Sequence, residues 1–169
     1  MKTFQEFCSQ LDESSLSRIK SKSDKGGMAI ISGSRADKSK AENKARAKQL
    51  DRDIKGKGLP GATKVQGRWD EKDDKTGKTT KVKERSHVIT SGKKGKRKFK
   101  KAVDTLSRKY GQDAKLVQTK KTATVSATRK GGLGKQAGKN VKRFTAGTMK
   151  PGRTGENDTK IKKKTFTYE

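Results

Sequence analysis

The sequence has little that could bind a metal ion or cross-link the chain. One cysteine and one histidine occur among its 169 residues. A single cysteine excludes an internal disulfide and a cysteine-rich metal site, and a single histidine excludes the multi-histidine sites of catalytic zinc. We therefore expect no metal and no cofactor.

Apolar and aromatic residues are also scarce. They make up 26% and 5% of the chain, whereas 38% of the residues are charged and 18 are glycine. Because this composition cannot bury a core along the whole chain, we expect one small folded unit with long basic loops. No apolar run approaches the roughly 20 residues of a membrane span, and no secretory signal is evident, so no membrane partner is expected.

Acidic residues are too few to balance the basic ones. Lys and Arg number 46 against 18 Asp and Glu, which gives a formal net charge of +28. Residues 93–169 alone hold 24 basic and 5 acidic residues, so the excess is concentrated in the C-terminal part of the chain. Such a polycation attracts polyanions, and nucleic acid is the most abundant one inside cells.

The basic residues predict contacts with the DNA backbone rather than with bases. Neutralised phosphates release counterions, so a polycation binds duplex DNA tightly and without sequence preference. Aromatic residues are too few to provide stacking platforms for single strands, and lysine suits phosphate contact more than base readout. The predicted DNA-binding residues are Lys93, Lys94, Lys96, Arg97, Lys98, Lys100, Lys101, Arg129, Lys130, Lys142, Arg143, Lys162, Lys163 and Lys164.

Composition divides the chain into three segments. Residues 1–13 have the pattern of a short amphipathic helix. Residues 14–27 are rich in Ser, Lys and Gly, which predicts a flexible linker. The remainder, residues 28–169, is predicted to be a small basic domain with long loops, in which residues 129–160 are a candidate for disorder.

Hydrophobic patterns in the first part of this domain predict two helices and four strands. Ser39 and Glu42 have the spacing of a capping box, and Phe99 to Tyr110 carry a helical stripe that Gly111 ends. The order strand, helix, strand, strand, helix, strand is typical of the split βαβ, ferredoxin-like α+β fold, with both helices on one face of the sheet. The predicted elements cover residues 28–31, 39–54, 63–69, 82–90, 99–110 and 114–118.

Enzyme chemistry has weak support in the sequence. The turn Ser32–Arg35 follows a predicted strand and could bind a phosphate through its backbone amides, or it could be an ordinary turn. His87 could be a base, but its neighbour Ser86 should point to the opposite face of the strand. Because no group of residues meets the requirements for catalysis, we predict no catalytic residue and no enzyme. The weaker alternative is an enzyme that acts on a nucleotide or polynucleotide through this turn, Arg46 and His87.

The first seven residues, MKTFQEF, resemble the capsid-targeting leader of internal head proteins in large contractile-tailed phages. In that family the leader docks its passenger on the scaffold of the growing prohead, and a protease then removes it by cutting after a Leu/Ile-x-Glu tripeptide. Leu11, Asp12 and Glu13 match that tripeptide. Phe4, Phe7 and Leu11 share one helical stripe, as a helix that docks in a groove requires.

The body resembles a small uncharacterised α+β domain family of bacteria and their phages. The resemblance rests on AIISGSRADKSKAENKARAKQLDRDIKGKG, ERSHVIT, KKAVDTLSRKYGQDAKLV and the terminal TKIKKKTFTYE. It implies a folded domain and no particular activity.

The leader and the charge together predict a phage internal head protein. We expect it to be trimmed after Glu13 and held inside the virion, with a period in the host cytoplasm during assembly. Its expected partners are phage DNA and the scaffold or capsid proteins. The alternative is a phage protein that stays outside the virion and binds nucleic acid or a host protein.

Overall fold

The structure is a computed structural model that describes residues 17–72, 76–119, 121–128, 142–152, 158–161 and 164–168. Within these ranges the chain forms a closed barrel of eight strands, accompanied by three helices. The strands are β1 (Met28–Ser32), β2 (Thr63–Lys72), β3 (Thr79–Thr90), β4 (Ala114–Thr119), β5 (Thr122–Ala127), β6 (Arg143–Pro151), β7 (Asp158–Ile161) and β8 (Lys164–Tyr168). The helices are α1 (17–25), α2 (Lys40–Gly56) and α3 (Lys96–Lys109).

Strand β1 closes the barrel because both of its edges are paired. The strand order is β1-β3-β2-β7-β8-β6-β5-β4, with β4 returning to β1. Every neighbouring pair is antiparallel. Ile30 lies opposite Val88 of β3 on one edge and opposite Leu116 of β4 on the other. The longest pairing joins β2 and β3 over ten residue pairs.

Alternate residues of β1 contribute to two hydrophobic cores, because successive side chains of a strand point to opposite faces. Ala29 and Ile31 belong to the core under α2 and α3. Met28 belongs to a second core, whose members come from strands on opposite sides of the ring and therefore fill the barrel. The helix-side core also contains Leu50, Ile54, Leu59, Ile89, Phe99, Ala102, Val103, Leu106 and Tyr110, and the barrel core contains Ile19, Val65, Val88, Met149 and Phe166.

Both predicted helices are present, although α2, predicted over 39–54, extends to Gly56, and α3, predicted over 99–110, begins at Lys96. The capping box is confirmed, because the Ser39 hydroxyl accepts from the Glu42 amide and the Glu42 carboxylate accepts from the Ser39 amide. The predicted apolar stripe of α3 is buried, and Gly111 follows the helix with a φ of 63°, in the left-handed region that favours glycine. Asp53 links the two helices, since it accepts a 2.7 Å hydrogen bond from the Tyr110 hydroxyl.

Residues 17–25, inside the segment predicted to be a linker, form helix α1. Ile19 is buried in the barrel core, and the Ser23 hydroxyl accepts a hydrogen bond of 3.2 Å from the Gln118 amide. A buried side chain and a buried polar contact anchor this helix to the barrel. No helix within the described ranges has both the length and the apolarity that crossing a membrane requires.

The predicted ferredoxin-like sheet is wrong. That fold leaves two edge strands, whereas here β2 pairs with β7 and β4 pairs with β5, so the sheet continues through four more strands and closes. The four strands predicted for that sheet are adjacent in the ring, in the order β4, β1, β3, β2. Three of them, β1, β3 and β4, contribute to the core under α2 and α3. Part of the segment considered for disorder, residues 143–151, forms β6. Residues 129–141 and the predicted leader, 1–13, lie outside the described residues.

Replacing Ser39 with Ala removes the hydroxyl of the capping box and should lower the free energy of unfolding by about 1 kcal/mol. The matched control is Ser39→Asp, whose carboxylate can accept the same amide hydrogen bond and should keep most of the stability. Urea denaturation followed by circular dichroism measures both. Equal stability of Ser39→Ala and the wild type would contradict a stabilising role for this cap.

Candidate functional site

A cleft of about 1180 Å³ lies between α2 and the outer face of the β2–β3 hairpin. The turn that joins β1 to α2 and the loop that joins α3 to β4 complete its walls, through residues 34–38 and 111–114. Its volume is somewhat above the range of about 300–1,000 Å³ that is usual for small-molecule sites. The cleft is therefore large enough for a nucleoside-sized ligand.

The walls of the cleft are strongly charged. Eight of the lining residues are Lys or Arg, and three are Asp or Glu. A ligand in the cleft would thus meet a positive potential with a few negative positions. The basic residues are Arg35, Lys38, Lys40, Lys44, Lys48, Lys64, Lys83 and Arg85, and the acidic ones are Asp37, Glu84 and Asp113.

The turn Ser32–Arg35 does not offer its amides to a phosphate. The Ser32 amide donates to the Gln112 side chain at 3.2 Å, and the Ser34 amide donates to the Ser32 hydroxyl at 3.0 Å. The Arg35 amide donates to Asn43 Oδ1 at 2.9 Å. Because these donors already have partners within the protein, the turn shapes the rim of the cleft and is not a phosphate-binding loop.

Two arginines fix this rim. Arg35 donates to the Gly111 carbonyl and, at 2.8 Å, to Asp37, and this hydrogen bond holds the pKa of Asp37 below its usual value. Arg46 donates to the Gly33 carbonyl at 2.7 Å and to the Tyr110 carbonyl at 2.6 Å. Arg46 therefore lies behind the rim and ties α2 to both loops.

His87 is buried at the barrel wall, where strand and helix meet. Its side chain is 1% exposed, and Nε2 lies 3.2 Å from Asp51 Oδ1 of α2. The N–H is poorly aligned with the oxygen, so this contact is electrostatic and neither ring nitrogen has a well-formed hydrogen bond to a described residue. The other oxygen of Asp51 lies 2.9 Å from Lys64 Nζ. Burial lowers the pKa of His87, against the attraction of Asp51, so the ring is neutral at neutral pH.

The structure brings together some of the residues that the sequence suggested for an enzyme site and separates others. Ser34, Arg35 and His87 all line the cleft, whereas Arg46 does not. Asp51 and Lys64 had no recognisable sequence signal, because they meet His87 only through the packing of α2 and the register of β2 on β3. No group of His, Cys, Asp and Glu in the described part of the chain could hold a metal ion.

The predicted DNA-binding residues are spread over several elements, and none of those that the structure describes lines the cleft. Lys93 and Lys94 precede α3, and Lys96, Arg97, Lys98, Lys100 and Lys101 lie in it. Lys142 precedes β6, Arg143 begins it, and Lys164 begins β8. Arg129, Lys130, Lys162 and Lys163 are outside the described residues, as are the leader residues Phe4, Phe7, Leu11, Asp12 and Glu13.

Comparison with known proteins gives a family match and a structural match, and each covers most of the chain. A family model described as the S-adenosylmethionine lyase family matches residues 29–169. A solved structure of a phage SAM lyase in complex with S-methyl-5'-thioadenosine is 14% identical, with a TM-score of 0.39, and the match covers 70% of this chain and 85% of that chain. No curated protein has a sequence that matches this one.

The family match corrects the predicted function. It covers an enzyme family and spans the barrel and the cleft, so the predictions of a non-enzymatic internal head protein and of a DNA-binding virion component are wrong. The net charge misled because it reports attraction for anions in general and carries no information on catalysis. Residues 1–13 lie outside the match, and their role as a leader stays a prediction.

Stability should fall as the pH drops below about 6.5, the ordinary pKa of histidine. Burial lowers the pKa of His87 in the folded state, so between the two pKa values the unfolded chain binds a proton that the folded chain resists. The variant His87→Gln lacks this titration, and its free energy of unfolding should change less over this interval. Urea denaturation at a series of pH values measures both proteins.

The carboxylates titrate in both proteins, so their contributions to the pH dependence of the free energy of unfolding cancel when the wild type is compared with His87→Gln. The same pH dependence in the wild type and in His87→Gln would show that the His87 ring does not resist protonation in the folded protein.

Proposed function

The chain belongs to the S-adenosylmethionine lyase family, and we propose that it cleaves S-adenosylmethionine, without water as a co-reactant, in the cleft between α2 and the β2–β3 hairpin. The observation that carries this proposal is the extent of the family match. It begins at Ala29 in β1 and runs to Glu169, so it includes all the residues that line the cleft.

The chemistry of this substrate explains how a site without a metal cluster or a catalytic triad can act on it. S-Adenosylmethionine carries a positively charged sulfonium, an ammonium and a carboxylate. When a lyase breaks one carbon–sulfur bond, the electron pair stays on sulfur, which leaves as a neutral thioether. The carbon completes its valence with a bond made within the substrate, either to the substrate's own nucleophile or as a double bond after proton loss. The leaving group needs no proton, so the main tasks of the protein are to bind and orient the substrate.

The excess of basic residues in the cleft suits this reaction. The sulfur loses its positive charge as the bond breaks, so a positive potential destabilises the bound sulfonium more than the transition state. Eight basic residues line the cleft against three acidic ones. A carboxylate can still bind the substrate ammonium, and Asp113 lies on the wall formed by the loop before β4.

The direct test incubates the purified full chain with S-adenosylmethionine and follows the nucleoside products by liquid chromatography and mass spectrometry. We expect loss of the substrate and the appearance of one thioether nucleoside in equal amount, with no oxygen from labelled water on the carbon that was bonded to sulfur in the other fragment. A substrate that stays intact over hours at neutral pH would overturn the proposed function.

One variant tests whether the cleft is the site. Asp113→Asn removes a negative charge from the wall and should lower kcat/KM roughly tenfold, as expected for loss of a charge-assisted contact. The control is Asp104→Asn on the outer surface of α3, away from the cleft, which should keep the kcat/KM of the wild type. Normal activity in Asp113→Asn would contradict a role for this wall in binding the substrate ammonium.

A further inference from the structure

One of the cations that line the cleft, Lys64 of β2, is paired with a carboxylate of α2. Ala47 and Lys48 of α2 line the cleft, and Asp51 lies one helical turn further along the same face. Its two carboxylate oxygens contact different strands, one at 2.9 Å from Lys64 Nζ and the other at 3.2 Å from His87 Nε2. Lys64 and His87 are directly opposite in the pairing of β2 with β3, so one carboxylate spans both strands.

The three side chains become more exposed in order from the barrel wall to the cleft. His87 is 1% exposed, Asp51 26% and Lys64 66%. Lys64 is the most exposed of the three side chains, and it lines the cleft, so it can touch a ligand there. An ammonium has three N–H donors, and Asp51 occupies one direction, so the others remain for an anion in the cleft.

On the basis of the proposed function, we infer that Asp51 is a positioning residue: it holds the Lys64 ammonium at the cleft wall, where that ammonium binds the carboxylate of S-adenosylmethionine. The carboxylate is the only anionic group of this substrate. A lysine free in solution samples many rotamers, and a held lysine loses less conformational entropy when it binds. Arg85 lies on the same wall, two residues before His87 in β3 and opposite Gln66 of β2, so its side chain also points outward. The substrate carboxylate would therefore lie near two cationic side chains, those of Lys64 and Arg85.

His87 controls how firmly Asp51 holds Lys64. The charged groups that face the ring are Asp51 from α2 and Lys64 from β2, while β1 presents the apolar Ile31 opposite it. With a neutral ring, Lys64 is the one full positive charge in contact with the Asp51 carboxylate among the described residues. When the ring is protonated, it competes with Lys64 for that carboxylate and releases the lysine. The affinity for the substrate should therefore fall at low pH.

Steady-state kinetics on the full chain test this arrangement. Lys64→Met should raise KM for S-adenosylmethionine roughly tenfold, the usual size of a charged hydrogen bond, while kcat changes much less. Asp51→Asn should raise KM by a smaller factor. The double variant should match Lys64→Met alone, because Asp51 acts through the lysine. Asp104→Asn is the matched control, since Asp104 also joins a helix to a barrel lysine, Lys115, at 2.7 Å.

The pH dependence of KM distinguishes a positioning role of Asp51 from a purely structural one. In the wild type, KM should rise as the pH falls through the pKa of His87, and in His87→Gln it should stay level. The chain has one histidine, so its imidazole signals in an NMR titration are unambiguous. Lys64→Met should raise the pKa of His87 and Asp51→Asn should lower it, because the lysine repels and the carboxylate attracts the protonated ring.

The outcomes separate this inference from the function on which it rests. An active wild type with unchanged KM in both Lys64→Met and Asp51→Asn overturns the inference and leaves the lyase function standing. Additive effects in the double variant also overturn it. A wild type that does not cleave or bind S-adenosylmethionine overturns both. Thermal melts confirm that each variant is folded, and Lys64→Met, which changes an exposed side chain, keeps the test valid if Asp51→Asn unfolds.

Discussion

The pairing of β1 with both β3 and β4 is the constraint on which the rest of the structure depends. This short strand closes the ring, and its alternation supplies one core inside the barrel and another under the helices. Only because Ala29 and Ile31 face outward can α2 and α3 pack on the barrel. That packing forms the cleft, since α2 is one of its walls and the outward face of β2 and β3 is the other.

The net charge of the protein suggests that it binds polyanions, but the basic residues of the cleft have a different proposed role. A net charge of +28 favours binding to any polyanion, yet the basic residues that line the cleft are not those of the densest basic run. In the proposed reaction, the positive potential of the cleft acts on a sulfonium whose charge disappears as the bond breaks. Asp51 and Asp104 each use a carboxylate to hold a barrel lysine to a helix, so some of the charge also organises the fold.

Local signals in the sequence predicted local structure well. The capping box at Ser39 and the apolar stripe from Phe99 to Tyr110 specify their helices through contacts within a few residues, and both are confirmed. The closed barrel was missed because closure depends on pairings between distant segments. β6 was missed as well, since its Gly147 and few apolar residues give a weak strand pattern. The candidate site was missed for the same reason. Asp51, Lys64 and His87 have no characteristic spacing in the sequence, and they meet only when α2 packs on the paired strands β2 and β3.

The central claim is that S-adenosylmethionine binds between α2 and the β2–β3 hairpin. The most direct measurement is a crystal structure of the protein with an S-adenosylmethionine analogue that cannot be cleaved. We predict that the analogue lies in this cleft, with its carboxylate in contact with Lys64 and its amine near Asp113. An analogue bound inside the barrel, or anywhere away from α2, would contradict it.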